Sequence, residues 1–471
     1  MPTLSTYAFA AASFLAAASV ASPTPAKDPS IITKVAVRTA ASTTAISKSN
    51  QLAAALSSFS AGLNSISAAV TVGQAILTQI VPAPGPTAIP QLQAELQNIT
   101  TANDGDIFRS GAEIVLNGLA GGNYAQIANA YLIDSTTVNI NLVQPTTSVY
   151  PNASSQDAPY SLSEAALRQA IYIPPGFTYG RIPPVIFLEG TAAFAGQNFG
   201  PNYGKLLTGS TFADPVYLNV PMRNLLDKQL AAEYTAYAVN YISGISGGNN
   251  VSTISWSAGS LDGQWALKYW PSTRAKMSNK ICISPDYHGT IEAQSACPGV
   301  TTPECTPAIA QQNYNSSFIQ TLRNNGGDSA YVPTTNVYSI FDQIVEPQED
   351  PNASGFLNDA RMVGVTNVEL QSVCTAVLPG GEIYNTHEGV LYNALGYALA
   401  VDALTNGGPG QLSRVDVKGL CAQVATAGLS LTDIEATEAL IPIAALAILA
   451  YEPKVAVEPP IMAYAQDVPA S

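Results

Sequence analysis

Short apolar runs and helical stripes alternate along this chain, and the alternation predicts a mixed α/β protein. Val251–Ser255, Lys280–Ser284 and Asn336–Phe341 read as strands, since short apolar runs bounded by turn residues suit the buried interior of a sheet. Leu261, Trp265 and Tyr269 then recur every four residues, the apolar face of a helix that starts just past the first run. Nearer the N-terminus, Leu52, Leu56, Phe59, Leu63, Ile66 and Val70 alternate steps of four and three, which predicts one amphipathic helix. The Pro-rich Val81–Pro90 should end it, with further helices over Pro90–Asn98, Ile107–Leu119 and Tyr124–Ile133. Gln144–Pro159, rich in Pro, Ser and Thr, reads as a linker or strap. Leu431–Ala450 opens with a capping-box pattern, Thr432-Asp433-Ile434-Glu435, and is apolar all round from Ala439 onward except at Pro442. Such a segment is usually buried core, and it is too short and kinked to cross a bilayer.

The junction between the first strand and its helix carries the candidate chemistry: Ser255-Trp256-Ser257-Ala258-Gly259. A serine on so tight a turn is pushed clear of its own backbone, while the first amide of the helix points at any oxyanion formed there. This is the nucleophile elbow of an α/β-hydrolase, except that Ser255 stands where Gly is usual. The chain has only two histidines, His288 and His387. In this fold the triad runs Ser, then Asp or Glu, then His. Asp342 ends the strand-like Asn336–Phe341 run, and His387 follows in a loop after Gly380 and Gly381. Asp342 is therefore the expected orienting acid and His387 the base. His288 fits only if a carboxylate nearer the serine, such as Asp262, were the acid.

Several further motifs stand in order: Phe187-Leu188-Glu189-Gly190-Thr191, Trp270-Pro271-Ser272, Ser284-Pro285-Asp286-Tyr287-His288-Gly289-Thr290, Gln311-Gln312, Leu322-Arg323-Asn324-Asn325-Gly326-Gly327, Val332 to Ser339, and Asp342 to Gln348. With the elbow they make residues 157 to 465 resemble secreted fungal lipases of the Candida antarctica lipase B type. The resemblance implies an α/β-hydrolase three-layer sandwich with a mostly parallel central sheet, and Ser257, Asp342 and His387 as the triad. It implies Thr191, through amide and hydroxyl, and Ala258, through its amide, as the oxyanion hole. Trp256 would floor the alcohol pocket, and Asp286 and Gln312 would line the acyl side, with Asp286 bracing Thr191. A disulfide Cys374–Cys421 and a mobile helical segment over Glu292–Ala310 are implied as well. So is a channel-lining role for Leu431–Ala450. Ala258 matches a glutamine in the family, so the amide is kept while a side chain is lost from the pocket wall.

Composition agrees with an exported globule. With 47% hydrophobic and only 11% charged residues, and 33 acidic against 19 basic, the formal charge is −14. A Lys-poor acidic chain is a poor nucleic-acid binder, whereas an uncharged surface suits contact with an apolar interface. Residues 1–21 read as a secretory signal peptide, with an apolar Tyr7–Ala18 run and a Ser19-Val20-Ala21 cleavage site but no basic n-region. Sequons begin at Asn98, Asn152, Asn250, Asn315 and Asn352. Five cysteines leave one unpaired: Cys297 and Cys305 flank a loop that a local bridge would close, and Cys282 reads as a buried thiol. No metal site is expected, for want of cysteine pairs or histidine pairs at ligand spacing.

These observations divide the chain into a signal peptide (1–21), a helical N-terminal extension that is a propeptide or cap (22–155), and a hydrolase domain (156–471). The expected function is hydrolysis or transesterification of carboxylic esters, most plainly triacylglycerols, by a secreted monomer without cofactor or transmembrane anchor. The alternatives are a cutinase-like, short-chain or polyester esterase, a peptidase on the same fold, and a non-catalytic surface protein on a hydrolase scaffold.

Overall fold

The structure, a computed structural model, describes residues 45–62, 66–103, 105–294, 305–378 and 384–466, apart from the side chains of residues 58–70 and 294. The expected signal peptide lies outside these residues. Seven strands form one sheet: β1 (Ile171–Tyr172), β2 (Pro184–Leu188), β3 (Asp214–Leu218), β4 (Val251–Trp256), β5 (Met277–Ile283), β6 (Thr334–Tyr338) and β7 (Val365–Glu369). Their order is β1-β3-β2-β4-β5-β6-β7, with β1 antiparallel to β3 and every other pair parallel.

The period of two along each strand makes the three layers. On β2, Val185 and Phe187 face a core shared with the Ala394–Asn406 helix, while Ile186 and Leu188 face one shared with the Lys228–Ile245 helix. Strands β2 to β6 are buried on both faces almost throughout, which is why their sequences read as continuous apolar runs rather than alternating ones. Parallel strands deliver their carboxyl ends to one edge, where the following loops gather. β2 therefore leads to Thr191, β4 to Ser257, β5 to Asp286 and β6 to Asp342.

The N-terminal extension differs from its expected form. Instead of one long amphipathic helix there are two, α1 (Ser49–Gly62) and α2 (Ile66–Gln79), followed by α3 (Ile89–Asn103) and α4 (Ile107–Leu116). The described residues of the extension belong to the same compact unit as the sheet. Leu92, Leu96, Ile114 and Val115 share a single core with Ile434, Ile441, Leu446 and Leu449. The contact is close, since a Cβ on Gly111 of α4 would lie 2.9 Å from the Pro442 Cα.

The C-terminal apolar segment is also two helices, Leu431–Glu438 and Leu440–Ala450. Its capping box is formed by Ser430 and Asp433, not by Thr432 and Glu435. Serine at the residue before the first helical turn is the one whose hydroxyl can reach the third amide. Among the described residues no helix is long and apolar enough to cross a membrane, and no group of His, Cys, Asp and Glu is arranged to hold a metal ion.

Candidate active site

Ser257 sits on the turn between β4 and the Gly259–Tyr269 helix with φ +53°. For a non-glycine residue that left-handed conformation costs on the order of 1–2 kcal/mol, and it persists because its surroundings leave no alternative. The Ser257 amide donates to the Ile283 carbonyl at 3.0 Å, extending the β4–β5 ladder into the turn. A Cβ on Gly259 would lie 2.5 Å from the Leu188 carbonyl oxygen, and one on Gly190 would lie 2.6 Å from the Trp256 ring. Three strand ends crowd this point, so the flanking residues have to be small. Ser255, the departure from the usual glycine, is fully buried and its hydroxyl lies 2.9 Å from that of Ser260, stitching the two arms of the elbow together.

Asp342 and His387 meet as expected. His387 Nδ1 lies 2.7 Å from Asp342 Oδ2, with both residues 2% exposed. The other oxygen, Asp342 Oδ1, accepts from the amides of Ile344 and Val345 at 3.0 and 2.7 Å. This fixes the carboxylate plane and leaves Oδ2 for the imidazole. Burial disfavours the imidazolium, but the charges of Asp342, Glu388 and Asp286 outweigh it and hold His387 above its ordinary value. The loop carrying His387 is held by its main chain: its carbonyl accepts from Trp256 Nε1 at 3.0 Å and Ser284 Oγ at 2.9 Å, and its amide donates to Gln343 Oε1 at 2.9 Å. Trp256 also packs its ring 4.8 Å from the imidazole.

Ser257, His387, Thr191, Trp256 and Gln312 all line one cavity of about 680 Å³, its open mouth included. Ile309, Ile344, Val345, Ile441, Ala444 and Ile448 give it an apolar wall, and Gly105 and Ile107 of the extension complete it. The amides of Thr191 and Ala258 have no hydrogen-bond acceptor among the described residues. The Thr191 hydroxyl donates to Gln312 Oε1 at 2.9 Å, and the Gln312 amide nitrogen is held by the Ala308 carbonyl at 2.9 Å.

Asp286 stands differently from its expected place. It is fully buried behind the cavity wall, outside the cavity lining, and Thr191 is braced by Gln312 rather than by Asp286. Neither of its oxygens meets a donor apart from its own amide. Burial pushes its carboxyl up to about 7, against the pull of Lys228 and His387. His288, the alternative base, lies outside the cavity lining, half-buried with its ring 4.0 Å from that of Tyr314. Burial and the Arg323 charge lower its pKa to about 4.

The Cys374–Cys421 disulfide is formed. Cys305 is disulfide-bonded, and the expected partner Cys297 lies outside the described residues. Cys282 is a buried free thiol accepting from the Tyr287 hydroxyl at 2.9 Å. Of the expected mobile segment, Glu292, Ala293 and Ile309 line the cavity, while residues 295–304 are outside the described ones. Sequence reasoning missed Gln343, Ile107 and Ser284. Gln343 was within reach because it adjoins Asp342, whereas nothing in the sequence relates Ile107 to a loop some 280 residues away.

A mostly parallel sheet with a serine at the turn after its central strand, facing a cavity lined also by the histidine of a buried Asp–His pair, is the frame of an α/β-hydrolase that cleaves esters. The chain is 33% identical over 287 residues to lipase B of Pseudozyma antarctica, spanning 60% of this chain and 79% of that one. The crystal structure of Aspergillus fumigatus lipase B matches with a TM-score of 0.79 at 43% identity, covering 88% of this chain and 99% of that one. No protein-family profile matches the sequence. The chain belongs to the lipase B family, and it is a serine ester hydrolase.

Proposed function

We propose that Ser257 is the nucleophile of a triacylglycerol lipase, with His387 as its base and Asp342 as the orienting acid. The reading is carried by the 2.7 Å contact of His387 Nδ1 with Asp342 Oδ2 beside the cavity that Ser257 faces. Asp342 accepts a hydrogen bond from Nδ1–H, so Nε2 is unprotonated and takes the Ser257 proton as Oγ attacks the ester carbonyl. The amides of Thr191 and Ala258 stabilise the oxyanion, each donor worth on the order of 3 kcal/mol in the transition state. The Thr191 hydroxyl joins them by exchanging Gln312 for the oxyanion. His387 then returns its proton to the departing alcohol, and water or a second alcohol releases the acyl group. Trp256 floors the alcohol side, and the acyl chain runs along the Ile441–Ala444–Ile448 wall.

The helical extension stays with the working enzyme as a cap, because its core is continuous with that of the Leu440–Ala450 helix and Ile107 helps enclose the cavity. An apolar cavity favours long acyl chains over short soluble esters. The enzyme is exported as a monomer, with residues 1–21 removed. All five sequon asparagines are exposed, which suits glycosylation. The test is Ser257→Ala, assayed on emulsified long-chain triglyceride together with labelling by an organophosphonate. Loss of both turnover and labelling in a folded variant is expected, and retained activity refutes the assignment.

A further inference from the structure

Two fully buried carboxyl groups lie behind the His387 loop, and the reaction as described uses neither. Glu388 follows His387 in the chain, Glu438 ends the Leu431–Glu438 helix, and both are 0% exposed. Each has one oxygen engaged by a neutral donor. Gln343 Nε2 donates to Glu388 Oε2 at 3.1 Å, and the Tyr392 hydroxyl donates to Glu438 Oε1 at 2.8 Å. The remaining oxygens, Glu388 Oε1 and Glu438 Oε2, are buried without a donor among the described residues, although the two carboxyl groups are within hydrogen-bond reach of each other. Ionised carboxylates only accept. Two ionised groups here would face each other as uncompensated charge in a dry interior, which is strongly unfavourable. Among the described residues neither carboxyl forms an ion pair with Lys or Arg. The titratable groups that bear on the pair are Tyr392, Tyr384 and His387.

We propose that Glu388 and Glu438 share one proton, and that this carboxyl–carboxylate hydrogen bond positions the His387 loop against the base of the helix that walls the cavity. Burial first, and the neighbouring Glu388 charge second, raise Glu438 well above the ordinary carboxylate range, in keeping with a proton held by the pair. Glu388 Oε2 accepts from Gln343, whose own carbonyl oxygen holds the His387 amide. Glu438 is one residue from Ala439, where the cavity-wall helix of Ile441 and Ala444 begins. One shared proton thus sets both the base and the wall facing it. The catalytic part of this inference rests on the reading of His387 as base.

The sign of the pH effect follows from the raised carboxyl. Stability held at acid pH is lost as pH rises from the ordinary carboxylate range toward the folded value, since the native state holds a proton that the unfolded chain releases. In Glu438→Gln the amide nitrogen donates to Glu388, the oxygen still accepts from Tyr392, and there is no proton to lose. That variant should keep kcat within about twofold of wild type near neutral pH, and its alkaline limb should move up by roughly one pH unit. Its Tm should fall less than that of wild type as pH rises above the ordinary carboxylate range. Glu438→Ala, which leaves Glu388 Oε1 without a donor, should lower kcat about tenfold or more with little change in KM. Rescue by Gln but not by the apolar, similarly sized Leu separates a shared proton from mere filling of space. Superposable Tm and kcat profiles of Glu438→Gln and wild type overturn the proposal. Tm curves that separate while kcat profiles coincide overturn the positioning role alone. The Tm readout is independent of turnover, so it stands even if Ser257 or His387 proves not to be catalytic.

Discussion

Replacing Asp342 by Asn tests the triad at the place where the structure leaves least freedom. Asp342 Oδ1 accepts two main-chain amides, from Ile344 and Val345, at 3.0 and 2.7 Å. An asparagine at this position must keep its carbonyl oxygen there, because turning the NH2 toward those amides would set donor against donor and leave both amides buried and unsatisfied. Its nitrogen therefore takes the place of Oδ2, 2.7 Å from His387 Nδ1. Nδ1 then has to accept, the ring proton moves to Nε2, and the nitrogen meant to take the Ser257 proton is already occupied. A triad with its histidine in the wrong tautomer loses about 10⁴-fold in kcat, or about 5 kcal/mol of transition-state stabilisation. The substitution also removes a charge that holds His387 above its ordinary value, so the imidazole should titrate lower in the variant. The assay is kcat and KM on a soluble p-nitrophenyl ester, with circular dichroism to establish folding and NMR of the ring to report the tautomer. A folded variant within tenfold of wild-type kcat would refute the argument.

Three further outcomes follow from the same geometry. Thr191→Val removes the hydroxyl donor but keeps the amide, and kcat should fall by about 10²–10³-fold with KM little changed; equal activity would take the hydroxyl out of the oxyanion hole. Ile107→Trp narrows the cavity from the extension's side, and kcat/KM for long acyl chains should drop about tenfold while acetate esters are spared, as bulk in a packed pocket discriminates by 1–3 kcal/mol. An unchanged chain-length profile would place the acyl group elsewhere. Joint replacement of Cys374 and Cys421 by Ala opens a loop with a sequence separation of 47, and chemical denaturation should then show a loss of about 4 kcal/mol on the chain-entropy account.

The elbow and the order of Ser257, Asp342 and His387 as candidates were legible in the chain because both depend on local or countable features. Scarcity of histidine left His387 as the base that follows a strand-end carboxylate, and a serine among small residues between a strand and a helix announced the turn. Asp286 and Thr191 show where such reading stops. Nothing local distinguishes a carboxylate that lines a cavity from one sealed behind its wall. Which side chain braces Thr191 depends on how the Pro307–Gln311 helix turns Gln312 toward it. The division of the N-terminal stripe into two helices is of the same kind, since its periodicity carries on from one into the other.

From its sequence alone this protein is an α/β-hydrolase with Ser257, Asp342 and His387 in order, because strand-end chemistry and buried parallel strands leave a one-dimensional trace. Only the tertiary structure brings Ile107 to the cavity, closes the extension onto the Leu440–Ala450 helix at Gly111, and sets Glu388 against Glu438. Those contacts join residues tens to hundreds of positions apart. They are decided by which apolar faces find each other in the core, a choice that no window of sequence contains.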